Sequence, residues 1–492
     1  MSTDGLVRLV KKSGNHSPPS NQLGRRRDSA TPSLTIHQVA DSTWEERAVC
    51  YFFDQYTSGG DPDEAISYLS FLPSLYATCR DNGPESSTTA SALRLAVDAT
   101  SLMALGTDVH SPSLTLRARG CYGSALRGLR QALTTQTQAV KDETFAAMVL
   151  LALFEDITGE RNGLASSHAA GFELLLKLRG EAQLENAQGR DLFNFAYTHT
   201  HVEILALREK PRYNTDWIAE SLSGADPVAR LILIASKLSQ LFLATSPLQA
   251  SALTFTSLDT NITDQLSLLL LTGRQIDLEL TSWSQDLPER WLPIVISPDK
   301  ADTHNPLITY HHLSIASIWT YYRAVRIVSH LIMFELRRGL AAATGAVPED
   351  PNPPAIIQNM IADICHSIPF CLGDVDVSGN STTSFSSASS TGSSKPKPRA
   401  RAFPVYSMIW PLWYIFTSGL ATPSQEDHIQ ASLAKIGSVL GIKLASVLAE
   451  DAAGQRRDAD IAAGAGGKKT GHHNGDGLAN SVFEDMKVKF KS

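Results

Sequence analysis

Cysteine is scarce in this chain and never closely paired. The 492 residues include five cysteines, at positions 50, 79, 121, 365 and 371, and no Cys-x-x-Cys sequence. The odd count and the wide spacing argue against a disulfide framework and favour a reducing compartment. The same spacing offers no set of thiolates for a structural zinc ion, so we expect no metal in this chain.

The motifs of common enzyme classes are also missing. The chain has no Gly-rich loop of Walker or Rossmann spacing, no Gly-x-Ser-x-Gly elbow, and no His-Glu-x-x-His. His199 and His201 stand two residues apart, where a helix turns their side chains to different sides. We therefore predict that the protein is not an enzyme and has no catalytic, cofactor-binding or metal-binding residue. A helical enzyme with an unrecognised site is the alternative.

Positive charge is in the minority. The 43 Lys and Arg residues against 50 Asp and Glu give a net charge of −7, which argues against nucleic-acid binding by bulk electrostatics. Basic residues instead form two short clusters in polar segments, where an import receptor could reach them. The candidate nuclear-import residues are Arg25, Arg26, Arg27, Lys395, Lys397, Arg399 and Arg401. Solubilising charge in linkers is the alternative.

Long uninterrupted hydrophobic runs are absent as well. Residues 402–422 carry no charge, but Pro404 and Pro411 interrupt them, and the strongly apolar part is about 11 residues, short of the roughly 20 that span a bilayer. This pattern predicts a buried core helix, and we expect no membrane partner.

The pattern that is present is helical. Apolar residues recur at spacings of three and four from Trp44 to about residue 449, and no segment alternates as a strand does. We predict an all-α fold, one large helical domain of about 12 helices. The predicted helices are 63–80, 88–106, 112–134, 142–157, 166–179, 190–208, 226–245, 261–285, 306–338, 354–369, 405–418 and 425–449, with a further one from Trp44.

Composition divides the chain into three parts. Residues 1–42 form a basic, polar segment that we predict to be disordered, and residues 43–450 form the helical domain. A Ser, Thr and Gly run predicts a disordered insertion at 375–402, because such residues bury too little apolar area to offset their ordering entropy. Residues 451–492 are predicted to be a flexible tail.

Residues 141–180 contain the most informative pattern. The first half reads as an amphipathic helix with Asp142 as its N-cap and an apolar face of Phe145, Met148, Val149, Ala152 and Leu153. The second half reads as a helix that begins after Ser166 or Ser167 and ends at Arg179 and Gly180. We expect Glu155 and His168 each to be a satisfied polar group at a helix–helix contact rather than an acid and a base.

The order of these residues resembles the central regulatory region of fungal zinc-cluster transcription factors, the fungal-specific transcription factor domain. Residues 364–373, 410–412 and 436–442 resemble later segments of that region, so the resemblance covers about residues 44–449. The residues that match, which we interpret as structural, are Glu155, His168, Gly171, Arg179, Gly180, Pro369, Trp410 and Pro411.

The resemblance implies a nuclear transcription-regulatory protein that controls a metabolic or secondary-metabolite gene set. It implies protein partners of the transcription machinery, with a homodimer and a small-molecule effector as further candidates. The six-cysteine zinc cluster that precedes this region in the family is absent here, so we expect no cofactor, and DNA binding only if an upstream exon supplies the cluster. A cytoplasmic helical scaffold that does not bind DNA is the alternative.

Overall fold

A computed structural model describes residues 42–57, 69–81, 87–161, 167–207, 226–252, 260–297, 306–346, 354–382, 401–451 and 453–454. From Thr43 onward these residues belong to one compact unit. Almost all of the regular structure in the described ranges is α-helix, so the predicted all-α fold is confirmed.

The helices, in chain order, are α1 (Trp44–Tyr56), α2 (Leu72–Asp81), α3 (Thr88–Asp108), α4 (Pro112–Ala132), α5 (Gln136–Ala139), α6 (Asp142–Thr158), α7 (Ala169–Arg179), α8 (Ala187–Leu207), α9 (Pro227–Ala252), α10 (Thr260–Gln285), α11 (Leu313–Thr344), α12 (Ala355–Cys371), α13 (Ala402–Tyr406), α14 (Ile409–Ser418), α15 (Pro423–Val439) and α16 (443–451).

Helix α6 lies at the centre of the core. Most of its side chains are buried, and it contacts α3, α4, α7 and α8. It ends at Gly159, whose φ of +70° places it in the left-handed region that glycine adopts most easily. A side chain there would also press against Lys443 of α16, because an added Cβ would lie 3.1 Å from the Lys443 Cβ. The glycine thus allows α16 to pack against the end of α6.

Helix α9 is apolar enough to raise the question of a membrane. Its stretch Pro227–Thr245 is long and apolar enough to cross a bilayer by composition alone, but 61% of that stretch is buried inside the protein. It packs against α8, α10 and α11. Burial in the core therefore accounts for its composition. The uncharged segment 402–422 likewise forms buried helices, as predicted.

A short antiparallel sheet corrects one prediction. Strand β1 (Ile294–Ile296) pairs with β2 (Leu307–Thr309), with Val295 opposite Ile308. The predicted helix start at residue 306 is therefore wrong, and α11 begins only at Leu313. There the His312 side chain caps the helix by accepting a hydrogen bond from the Ser314 amide. Three-residue strands are too short to show an alternating pattern in sequence.

Several predicted boundaries also shift. The Thr43 and Glu46 capping box begins α1 as expected at Trp44, and α7 ends at Gly180 as expected. The N-cap of α6 is Lys141, one residue before the predicted Asp142. The predicted helix 405–418 is two helices, α13 and α14, and the predicted helix 425–449 is divided between α15 and α16 at Gly441, where φ is +73°.

The predicted helix stop at Gly339 is wrong. Helix α11 passes through Gly339 and ends at Gly345, which has a φ of +68°. A Cβ at Gly339 would meet nothing closer than Leu266, at 3.9 Å, so this position imposes no break on the helix. Arg337 and Arg338 therefore lie in the last turns of a longer helix.

Part of the predicted disordered insertion is ordered. Residues 375–382 form a turn in which Val375 pairs with Ser381, and the Thr309 hydroxyl donates a hydrogen bond of 2.7 Å to the Val377 carbonyl. The prediction is therefore wrong for these eight positions, and also for Arg401 and Ala402, at the start of α13. The remainder of the insertion up to residue 400, residues 1–41 and the tail beyond residue 454 lie outside the described residues.

Arg179 joins α7 to the start of α6. Its guanidinium donates hydrogen bonds of 2.6 Å to the Val140 carbonyl and 2.5 Å to the Asp142 carboxylate. The guanidinium also lies over the Phe145 ring, 5.2 Å from the centroid. Only 6% of this side chain is exposed. Arg179 therefore holds the two helices of the 141–180 motif together.

We predict that Arg179→Ala lowers the free energy of unfolding by about 2–4 kcal/mol, because it leaves buried acceptors without a donor. Urea denaturation followed by circular dichroism measures this change. The matched control is Lys177→Ala, which removes an exposed cation from the same helix and should cost at most about 0.5 kcal/mol. Equal losses in the two variants would contradict this role of Arg179.

Candidate functional site: a cavity above a buried carboxylate

A cavity of about 170 Å³ opens between helices from both halves of the chain. Helices α8, α9, α11, α13 and α14 supply most of its walls, and Leu69 and Leu444 complete them. Most of the lining is apolar, with a few polar groups at defined positions. Such a cavity is the usual form of a small-molecule site.

One side of α8 supplies the polar wall. Asn194, Thr198 and Val202 recur every four residues and line the cavity, because side chains four apart lie on one face of a helix. Phe193 and Tyr197 point the other way, into the core. The side of α8 that carries Asn194 and Thr198 therefore faces the cavity, and the opposite side faces the core.

The floor of the cavity is a buried ion pair. Asp156 of α6 is completely buried and forms an ion pair with the guanidinium of Arg161. The Tyr406 hydroxyl donates a 2.6 Å hydrogen bond to the second Asp156 oxygen. Burial raises the pKa of the Asp156 carboxyl, while Arg161 and Tyr406 oppose that rise. Arg161 and Tyr406 also line the cavity.

His199 stands beside this pair as a neutral imidazole. Its Nδ1 lies 3.4 Å from the Tyr406 hydroxyl, and its ring stacks on Phe195 with centroids 6.0 Å apart. Burial, with the Arg161 and His168 charges adding to it, lowers the pKa of His199 to about 3. The ring therefore carries no charge near neutral pH and adds a flat, weakly polar surface to the wall.

His201 fixes the Tyr321 hydroxyl on another wall. The Nε2 of His201 lies 2.8 Å from the Ala235 carbonyl oxygen and therefore carries the hydrogen. Its Nδ1 then accepts a 3.1 Å hydrogen bond from Tyr321, which lines the cavity. Burial lowers the pKa of His201 to about 4, against the opposing effect of the Ala235 carbonyl. The two histidines face different neighbours, as their spacing predicts.

Glu155 and His168 meet at the contact between α6 and the N-terminal end of α7. The His168 Nε2 lies 3.0 Å from the Glu155 carboxylate, which also accepts hydrogen bonds from Tyr122 and Ser167. Burial alone would raise the pKa of Glu155, but the hydrogen bonds and the His168 charge outweigh burial and lower it. Both side chains are therefore hydrogen-bonded at the contact between α6 and α7.

The other motif residues have packing roles. Gly171 lies so close to Met148 that an added Cβ would be 2.8 Å from its sulfur. Pro369 lies inside α12, and its carbonyl accepts a 2.8 Å hydrogen bond from the Asp374 amide. Trp410 and Pro411 are buried in α14, and Trp410 also lines the cavity. Among the motif residues, Trp410 is thus the one that reaches the candidate site.

Sequence reasoning missed most of the site. It did not single out Asp156, Arg161, Tyr406, Asn194 or Thr198. Asp156 was the available signal, because it follows Ala152 and Leu153 by four and three residues and so lies on the predicted apolar face, where a carboxylate must find a buried partner. Across the described ranges, no three His, Cys, Asp or Glu side chains lie together as metal ligands would.

Of the candidate import residues, Arg401 lies in the described structure, directly before α13. The others lie outside the described residues: Arg25, Arg26, Arg27, Lys395, Lys397 and Arg399. Their role stays a prediction.

Comparison with known proteins gives one informative similarity. No protein-family model matches the chain, and no solved structure matches it. An uncharacterized protein of the fungus Emericella nidulans is 35% identical over 115 residues. That alignment covers 22% of this chain and 24% of the relative. The chain is therefore similar to a fungal protein over about a quarter of that protein's length.

The neutral state of His201 predicts a specific pH dependence. Because its pKa falls from 6.5 to about 4 on folding, the unfolded chain takes up a proton first as the pH drops below 6.5. At pH 5.5 this uptake lowers the free energy of unfolding by about 1.4 kcal/mol. We expect His201→Gln, which cannot titrate, to lose that much less stability than the wild type between pH 7.5 and pH 5.5.

Urea denaturation at the two pH values measures this difference. His311→Gln, which replaces an exposed histidine before α11, serves as the control and should retain the wild-type pH dependence. An identical loss of stability in His201→Gln and wild type would show that His201 is not held neutral.

Proposed function

We propose that the chain is a transcription-regulatory protein of the fungal zinc-cluster factor type. In this proposal it acts in the nucleus as a helical regulatory domain for a metabolic or secondary-metabolite gene set. It works by contact with other molecules and performs no reaction of its own.

The observation that carries this proposal is the packing of the motif residues. The residues of the 141–180 motif that resemble the fungal regulatory region form the contact between α6 and α7. Glu155 meets His168, Gly171 fits against Met148, and Arg179 bonds to the first turn of α6. If the resemblance concerned unrelated surface positions, these residues would not contact one another. The similarity to a fungal protein is in keeping with the proposal.

The environment of Glu155 supports a structural role rather than catalysis. Its carboxylate receives hydrogen bonds from Tyr122 and Ser167 and pairs with His168. A general base needs a free oxygen for the proton of its substrate. Glu155 instead uses its acceptor positions to join α4, the start of α7 and α6.

In this proposal the helical domain itself does not contact DNA. The chain has none of the cysteine spacing that a zinc cluster requires, so promoter binding passes through a partner or through a cluster encoded by an upstream exon. The regulatory body then changes transcription through the proteins it contacts.

The proposal predicts activity when DNA binding is supplied artificially. We expect the full chain, fused to an unrelated DNA-binding domain, to change expression of a reporter gene at least severalfold in a filamentous fungus. The physical reason is that a regulatory domain needs only placement near a promoter to act. Reporter activity measured against the DNA-binding domain alone gives the result.

The fusion carrying Arg179→Ala is the internal control, because loosening α6 from α7 should weaken the effect, while Lys177→Ala should not. An unchanged reporter, together with a fluorescent full-length fusion that stays outside nuclei, would contradict the proposal. That outcome would favour the cytoplasmic scaffold.

A further inference from the structure

We infer that the cavity binds an uncharged organic molecule with a single ring, and that Asn194 and Thr198 form hydrogen bonds with its carbonyl or hydroxyl group. The inference concerns ligand binding by the folded protein and stands apart from the role in transcription. It follows from the size, hydrogen-bonding capacity, charge and shape of the cavity.

Size limits the ligand. The cavity holds about 170 Å³, and a cavity of about 150 Å³ in a protein core accommodates benzene. One ring with one short substituent therefore fits. A ligand with several fused rings would need the surrounding helices to separate.

Much of the uncommitted hydrogen-bonding capacity of the lining lies on α8. The Tyr406 and Tyr321 hydroxyls already donate to Asp156 and to the His201 ring. The Ser407 hydroxyl donates to a backbone carbonyl 2.7 Å away.

Asn194 and Thr198 differ from these groups. In the part of the chain that the structure describes, neither side chain has a hydrogen-bond partner, although both line the cavity. They lie one helical turn apart, so one ligand oxygen can reach both. An amide and a hydroxyl each donate and accept, which suits a carbonyl or a hydroxyl group equally.

Charge in the lining disfavours an ionised ligand. Arg161 is neutralised by Asp156, and His199 is neutral near pH 7. A ligand carboxylate would face Asp191 in the same lining, and a ligand ammonium would have to compete for Asp191 with the hydrogen bond that it accepts from Ser70. Either ion would lose its hydration among mostly apolar walls without gaining an unpaired counter-charge.

The shape of the walls favours a ring. Phe195 and Phe403 approach with centroids 5.9 Å apart, and Tyr321 and Trp410 meet edge to face at 6.1 Å. A ligand ring can pack against these side chains in the offset-stacked or edge-to-face geometry that aromatic pairs prefer. Leu69 closes part of the cavity with a φ of +48°, an uncommon conformation for a leucine that is concentrated at ligand-binding sites.

Four probes of similar size test the inference: acetophenone and benzyl alcohol, which are neutral, and benzoate and benzylamine, which are charged. Titration calorimetry on the purified full chain should show saturable binding of at least one neutral probe. That binding should be at least about tenfold tighter than binding of either ion, since the ions lose hydration without compensation.

Variants assign the site. Asn194→Leu and Thr198→Val remove the hydrogen bonds at nearly constant volume and should each weaken binding about 2- to 12-fold. Ile232→Phe fills the cavity and should abolish binding. The matched control Thr272→Val alters an exposed threonine of α10 that bonds within its own helix, and it should bind as the wild type does. Thermal unfolding confirms that each variant is folded.

Three results would overturn the inference. They are no saturable binding of a neutral probe, ions that bind as tightly as the neutral probes, and wild-type affinity in both Asn194→Leu and Thr198→Val. Because binding is measured on purified protein, these results are independent of the reporter assay. An inactive reporter fusion with intact probe binding would reject the regulatory role alone.

Discussion

The structure depends on one carboxylate that has no access to water. Asp156 lies in α6, most of whose side chains are buried, and a charge there is tolerated only when its partners replace its lost hydration. Arg161, five residues later, supplies the opposite charge, and Tyr406, 250 residues later, donates a hydrogen bond. This single group therefore joins the motif helices in the first half of the chain to the helices of the second half.

The cavity is a consequence of that arrangement. Tyr406 is the last residue of α13, and its hydroxyl bonds to Asp156 of α6. This bond holds α13 and α14 opposite the side of α8 that lines the cavity. The space between them is lined by Phe403 and Trp410 on one side and by the polar face of α8 on the other. The buried pair satisfies its own charges, so the cavity above it stays mostly apolar. Asn194 and Thr198, which have no hydrogen-bond partner among the described residues, lie on its α8 wall.

The sequence predicted the helices because their apolar faces repeat regularly. It predicted Glu155 and His168 as satisfied polar groups at a helix–helix contact, but not that the two bond to each other. It could not predict the two strands, since three residues such as Ile294–Ile296 leave no measurable period. Nor could it locate the cavity. Asn194, Tyr406 and Arg161 are far apart in the chain, and only the folded arrangement of α6, α8 and α13 brings them together. Asp156 alone carried a local signal, a charge on the predicted apolar face of its helix.

A double-mutant cycle between Asp156 and Tyr406 tests this account most directly. Asp156→Asn, Tyr406→Phe and the double variant are unfolded in urea, and their free energies of unfolding are compared with wild type. The account predicts an interaction energy of about 1–3 kcal/mol, because a buried hydrogen bond to a charged group couples its two partners. Losses that simply add, to within about 0.3 kcal/mol, would show that the carboxylate does not join the two halves of the protein.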